Sequence, residues 1–171
     1  MRIVDDLLRE FDDEMGKTRK ILERTPEGPW DYKPHAKSMP LDRLAGHIAE
    51  LPGWARATLE SELLELQPGQ KSYVAESRAD LLKTFDRNVA EARTLLEKTT
   101  DEDLRKTWTM KFAGKEVMSM PRITVWRSVV MNHMIHHRAQ LGVYLRLNEI
   151  EIPGMYGPSA DEAKWWETKT A

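Results

Sequence analysis

Residues 122–147 read RITVWRSVVMNHMIHHRAQLGVYLRL, and the spacing of their large side chains decides the class of fold. Ile123, Trp126, Val130, His133, His137, Gln140, Tyr144 and Leu147 recur mostly at three- and four-residue steps. That period puts them along one face of an α-helix. The spacing predicts one long helix, opened by Ser119-Met120-Pro121 and running to about Asn148. Two positions of the inward face are histidine. Side chains four apart on a helix are rotated by only about 40° and stand about 6 Å apart along the axis. His133 and His137 can therefore each aim a ring nitrogen at one point. His136 lies about 100° away from His137 and is assigned to a helix contact or a subunit interface.

Three earlier segments carry the same period. From Ile3 to Arg24, the residues Val4, Leu7, Phe11, Met15, Thr18 and Leu22 share a face, and Thr25-Pro26-Glu27-Gly28-Pro29 ends the run. A second helix is predicted from Ser38-Met39-Pro40 to about Leu66, with Leu44, His47, Leu51, Trp54 and Thr58 as its stripe. Pro52 lies inside it. The ring clashes with the carbonyl four residues back and offers no donor, so a kink is expected one turn after His47. A third helix begins at Ser77, where Ser77-Arg78-Ala79-Asp80 resembles a capping box. Leu82, Phe85, Val89, Ala92 and Leu96 are its inward residues, and Thr99-Thr100-Asp101 closes it and starts a short turn through Leu104.

Between the third and fourth helices the period changes. Trp108, Met110 and Phe112 alternate with Thr107, Thr109 and Lys111, and Gly114-Lys115 supplies a turn, so residues 107–118 read as a short hairpin. Pro153-Gly154 and Gly157-Pro158 mark an irregular tail, which Trp165-Trp166 is expected to anchor on the body. The expected fold is all-α: a single domain over residues 1–171, an antiparallel four-helix bundle with a small hairpin or irregular insertion before the last helix.

Composition narrows the function. Apolar residues make up 40% and charged residues 32%, with a net charge of −2. That is the balance of a globular domain of ordinary size. Acids and bases are mixed, with no dense basic block, so neither nucleic-acid nor membrane binding is expected. There is no cysteine, which removes disulfides, thiolate ligands and a cysteine nucleophile. Met1-Arg2-Ile3-Val4-Asp5-Asp6 turns acidic at once and has no apolar signal core, so a cytoplasmic location is expected.

His47 occupies an inward stripe on a different helix from His133 and His137. Three such histidines would each lose hydration while still needing partners for a donor and an acceptor nitrogen. Pattern alone leaves two readings: one shared divalent ion, or a hydrogen-bonded polar cluster. Gln140 and Tyr144 stand open between orienting a bound ligand and serving as polar core groups. Glu50 stands open between an acid or base near the metal and a surface carboxylate. Arg138 reads as a structural ion-pair partner and His35, beside Pro34, as solvated. There is no Gly-rich phosphate loop, GxSxG elbow or HExxH motif, and no catalytic residue is assigned.

Leu44-Ala45-Gly46-His47-Ile48, the run from Asn132 through His133, His136-His137-Arg138-Ala139-Gln140 and Leu141 into Tyr144-Leu145-Arg146, and then Pro153 and Tyr156-Gly157 resemble the DinB/YfiT-like family over almost the whole chain. The Trp30, Pro34 and Ser38 approach to the second helix is similar to the family as well. Ala139 stands where a glycine is frequent, a small change inside a helix. The resemblance implies a four-helix bundle, commonly dimeric, with one divalent metal ion on His47, His133 and His137. Zinc or nickel come first, then iron, manganese or copper. It also implies relatives that use low-molecular-weight thiols such as bacillithiol or mycothiol as cosubstrates.

Two functions follow as expectations. One is a metal-dependent enzyme that activates a small thiol or water for transfer to, or hydrolysis of, a small-molecule substrate. In it Pro52 brings His47 across to the last helix, and the tail near Tyr156 covers the opening. The other is a non-catalytic, dimeric metal-binding or stress-related bundle protein. A homodimer is expected because Val129, Ala139 and Val143 on one face of the last helix, and Met131, Met134, Leu141 and Leu145 on the next, exceed what one bundle covers.

Overall fold

The structure, a computed structural model, describes residues 2–27, 30–69 and 72–162. Trp165 and Trp166, and the Gly28-Pro29 end of the first interhelical signal, lie outside the described residues. Four long helical segments pack around a common core: α1 (Ile3–Leu22), α2 (Leu41–Glu50) continued by α3 (Trp54–Glu60), α4 (Arg78–Lys98), and a composite last segment. That last segment starts as α6 (Arg122–Val125), passes through a π-helical stretch (Trp126–Asn132) and continues as α7 (His133–Leu147). α1 and α2 each pack on both α4 and α7. All six predicted stripe residues of α1 are buried. The Ser77 hydroxyl caps α4 by accepting from the Asp80 N–H at 3.1 Å, and the short turn after it is α5 (Asp101–Arg105).

The all-α expectation is corrected. A three-stranded mixed sheet, in the order β1-β2-β3, packs beside the helices, and the chain is a mixed α/β protein. β2 (Thr107–Phe112) and β3 (Lys115–Pro121) form the expected hairpin. Ala113 at φ 48° and Gly114 at φ 78° make its two-residue turn, since hairpin turns that match strand twist need positive φ at both central residues. The unforeseen strand is β1 (Leu63–Leu66), which pairs in parallel with β2. The second helix therefore ends at Glu60, not near Leu66. Cross-strand rows Leu64–Met110–Met118 and Trp108–Met120 face one side. With Val125, that face makes a second apolar cluster against Trp54, Ala57 and Val129.

Two helix starts also differ from expectation. Ser119-Met120-Pro121 belongs to β3, where the Ser119 and Thr109 hydroxyls meet at 3.0 Å across the strands. The helix begins at Arg122, whose N–H bonds to the Lys106 carbonyl at 2.9 Å. Ser38 does not cap α2 either. The Leu41 and Asp42 amides donate to the Tyr32 and Trp30 carbonyls at 3.0 and 2.9 Å, so the preceding loop satisfies the free first-turn donors. Pro52 breaks the second segment as expected, through a 3₁₀ turn at Leu51–Gly53.

The π-helical stretch changes which face of the last segment is inside. The buried row runs Trp126, Val130, Met134, Arg138, Leu141, Leu145. Steps of four would drift round an α-helix by about 40° each. A π-helical stretch takes more residues per turn, so the buried row beyond it falls one position later than an unbroken α-helix would place it. His133 and His137 consequently sit half-buried at the edge of the core instead of inside it. Met131, Met134, Leu141 and Leu145, invoked above as surplus apolar surface, are buried within one chain. These four side chains offer no surface to a second copy, whereas Val143 and Leu147 remain exposed. No described helix is long and apolar enough to cross a membrane.

Candidate metal centre

α2 delivers His47 and the first two turns of α7 deliver His133 and His137, and the three rings meet. His133 Nε2 lies 2.9 Å from His137 Nε2 and 3.4 Å from His47 Nε2. One ring nitrogen from each histidine falls within 4.8 Å of the other two, and among the described residues no carboxylate joins the group. His136 is exposed, with its ring 5.0 Å from that of His137 and outside the trio. His35 is exposed too, and its Nδ1 accepts from the Lys37 N–H at 3.1 Å.

The outward nitrogens fix the inward ones. Gln140 Oε1 lies 2.7 Å from His137 Nδ1. An amide oxygen can only accept, so Nδ1 carries the proton and Nε2 presents its lone pair. The His133 ring bonds to the Val129 backbone carbonyl. With Nε2 turned to the cluster, Nδ1 is the nitrogen left to donate. Burial, first, and the neighbouring imidazoles push His47 down to about 4. Burial likewise lowers His133 and His137. Near neutral pH the three rings are thus uncharged, and His133 and His137 direct lone pairs at the space they share with His47. A four-coordinate ion about 2.0–2.1 Å from each nitrogen needs nitrogens about 3.3–3.4 Å apart. The His133–His137 and His47–His133 separations of 2.9 and 3.4 Å lie close to that requirement, and three imidazoles are a donor set that fits a divalent metal ion.

The surroundings give the cluster two approaches. On the His47 side a cleft of about 520 Å³ is lined by Arg43, Glu50, Trp54, Leu64, Leu66 and Phe112, among others. On the His133 side a cleft of about 450 Å³ is lined by Trp54, Met110, Met118, Val129 and His136, among others. Glu50 accepts from the Tyr73 N–H at 3.0 Å and pairs with Arg43 at 3.3 Å. It holds a crossing segment and is not part of the cluster. Gly46 makes that crossing possible, because a Cβ there would stand 3.0 Å from the Tyr73 carbonyl oxygen. Tyr144 donates to the Met39 carbonyl at 3.2 Å and is a core group. Tyr156 lines neither cleft, so the expected cover from the tail is not found there. Its hydroxyl instead meets Arg138 at 2.7 Å and Glu14 at 3.0 Å.

Reading the sequence brought out the trio and Pro52 but not Trp54 as the wall shared by both clefts, nor the sheet residues beside it. Trp54 was legible only as a helical stripe position. Met110 and Met118 reach the site through strand pairing, which no local pattern reveals.

A helical core with a small mixed sheet, and three histidines gathered from two of its helices, defines a class of proteins, and a sequence model of the DinB family matches residues 1–170. The chain belongs to the DinB family. It is 24% identical over 161 residues to the uncharacterized protein YrdA of Bacillus subtilis (strain 168), covering 93% of this chain and 91% of YrdA. Among solved structures it is similar to a DinB-like protein from Bacillus cereus ATCC 10987, with a TM-score of 0.65 and 19% identity, over 87% of this chain and 95% of that one. It is also similar to the DinB-like protein YjoA from Bacillus subtilis, with a TM-score of 0.64 and 20% identity, over 88% and 97% of the two chains. At these identities the structural likeness speaks to the fold.

Proposed function

We propose that His47, His133 and His137 hold one divalent metal ion, and that the protein is an enzyme bringing an external nucleophile, a small thiol or water, to an electrophilic small molecule. The observation that carries this is the convergence of three neutral Nε2 atoms at an edge of the core that opens on two clefts. Neutral ligands leave a bound ion its full charge, which lowers the pKa of a ligated thiol or water and polarises a carbonyl. The chain contributes no thiol of its own, so a sulfur nucleophile arrives as a cosubstrate. Gln140 and the Val129 carbonyl keep two rings in the ligating tautomer, the role that outer partners of metal-bound histidine commonly serve. Zinc and nickel are the first candidates, since imidazole suits both.

The test has two stages. Elemental analysis of untagged protein is expected to find close to one equivalent of a divalent metal, with most of it lost in His47→Ala, His133→Ala and His137→Ala and retained in His136→Ala. Protein loaded in turn with zinc, nickel, iron or manganese is then offered thiols with monochlorobimane, and separately activated esters and amides. Turnover above the His133→Ala control supports the enzyme. Metal binding with no turnover on any panel transfers the trio to the non-catalytic reading.

A further inference from the structure

The sheet forms a wall of the centre. In the row Leu64–Met110–Met118 three side chains from three strands stand side by side. That face packs on Trp54 and Val129 without filling the space between them, leaving the cleft of about 450 Å³ that His133 and His136 also line. An open groove of this size with apolar walls, beside the three converging histidines, is a feature to be explained. Among the described residues its lining holds no ionisable group apart from the two histidines, with Ser128 and Asn132 as the other polar members, so a charged group placed there would have no counter-charge. Thioethers and an indole are polarisable, and methionine adapts its shape. Such walls suit a flat ring or an unbranched chain.

We propose that this cleft receives an uncharged aryl or short alkyl group of the substrate, and that Met110 and Met118 select that group by size and polarity. The inference rests on reading the three histidines as the reaction centre, because His133 joins the cleft to it. The polar part of the same substrate is left for the other approach, where Arg43 and Glu50 line the His47 side.

Two measurements separate this proposal from the metal reading. In the first, zinc-loaded protein is titrated calorimetrically with acetohydroxamate, hexanohydroxamate and benzohydroxamate, three probes that share a metal-binding head. The two larger ones should bind on the order of tenfold tighter or more. Met118→Glu, which adds charge to the wall, and Met118→Trp, which fills the space, should each erase that advantage. In the second, full-length protein labelled with [methyl-¹³C]methionine and stripped of metal is titrated with n-hexanol and with phenol. The Met110 and Met118 methyl resonances, assigned by leucine replacement, should shift ahead of the other methionines. If no hydroxamate binds but those two methyls shift, the metal reading falls and the apolar cleft stands. If acetohydroxamate binds, the larger probes gain nothing and the two methyls do not move, the cleft proposal is overturned while the metal reading survives.

Discussion

Gln140 decides what His137 can do. It lies exposed at the edge of the cluster, and its oxygen at 2.7 Å makes Nδ1 the protonated nitrogen of His137. Loss of such an outer partner commonly costs about 10–100-fold in metal affinity. Gln140→Leu is therefore expected to weaken zinc binding by about that factor in competition with a chromogenic chelator, while Gln140→Glu, which keeps an acceptor, retains it. Because the residue is exposed, thermal unfolding of the metal-free protein should be unchanged, and equal affinity in wild type and the leucine variant would remove Gln140 from the site. His47 gives a second expectation. Burial and the neighbouring rings depress it to about 4 in the folded chain, whereas an ordinary histidine titrates near 6.5. Between those values the unfolded chain binds the extra proton, so stability from a neutral His47 is complete above about 6.5 and is lost as pH falls toward 4. In metal-free protein, the difference in unfolding free energy between wild type and His47→Gln should shrink steadily from pH 7 to pH 4. A difference independent of pH would show that the ring is not held neutral by its surroundings.

The helices show where sequence reading succeeded and where it stopped. α1 was legible because one period runs unbroken through it and every stripe residue is buried. α4 was legible from its cap. On the last segment a fixed period of 3.6 led from Trp126 and Val130 to His133 and His137, whereas the π-helical stretch carries the core row to Met134 and Arg138. The histidines were found because they share a face, but their place at the edge of the core, which opens them to the clefts, depends on a backbone irregularity that side-chain pattern does not encode. β1 was missed for another reason. Leucine and glutamate are good helix formers, and Leu63-Leu64-Glu65-Leu66 becomes a strand only by pairing with residues 109–112, far along the chain. Two glycines test how far local preference governs. Gly16, inside α1, has nothing within 4 Å of a built Cβ. Gly16→Ala should stabilise the protein by about 0.5–1 kcal/mol in urea unfolding. Gly46→Ala has the same helical gain available but would press its methyl on the Tyr73 carbonyl at 3.0 Å. The crossing segment must shift, and overpacking of this kind costs about 1–3 kcal/mol, so the substitution should be destabilising. Equal stabilisation by both alanines would mean that the Tyr73 crossing exerts no force on α2.

What joins α1, α7 and the C-terminal tail is a buried charge. Arg138 is 2% exposed and Glu14 6%, and they pair at 2.6 Å. The guanidinium also donates to the Glu14 carbonyl and the Thr18 hydroxyl, both at 3.1 Å, and to the Tyr156 hydroxyl at 2.7 Å. Tyr156 in turn donates to Glu14 at 3.0 Å, and its ring lies beside Lys17, 4.7 Å from centroid to Nζ. The arginine that follows His137 in sequence is thus turned away from the histidine cluster. It occupies the place in the core row that the π-helical stretch creates and requires a counter-charge from α1. Replacing such a pair by apolar groups can be neutral, but removing one partner leaves a desolvated charge and costs about 3–5 kcal/mol. Glu14→Leu should lose that much in urea unfolding. Adding Arg138→Met should restore a large part of it, because the orphaned guanidinium is then gone. Tyr156→Phe removes two hydrogen bonds to charged groups but at an exposed residue, so it should lose less than Glu14→Leu, about 1–3 kcal/mol. A double variant no more stable than Glu14→Leu alone would locate the loss in the missing contacts of the carboxylate and not in an uncompensated Arg138. The three variants should leave zinc affinity close to wild type, since none of the residues lines either cleft beside the histidines.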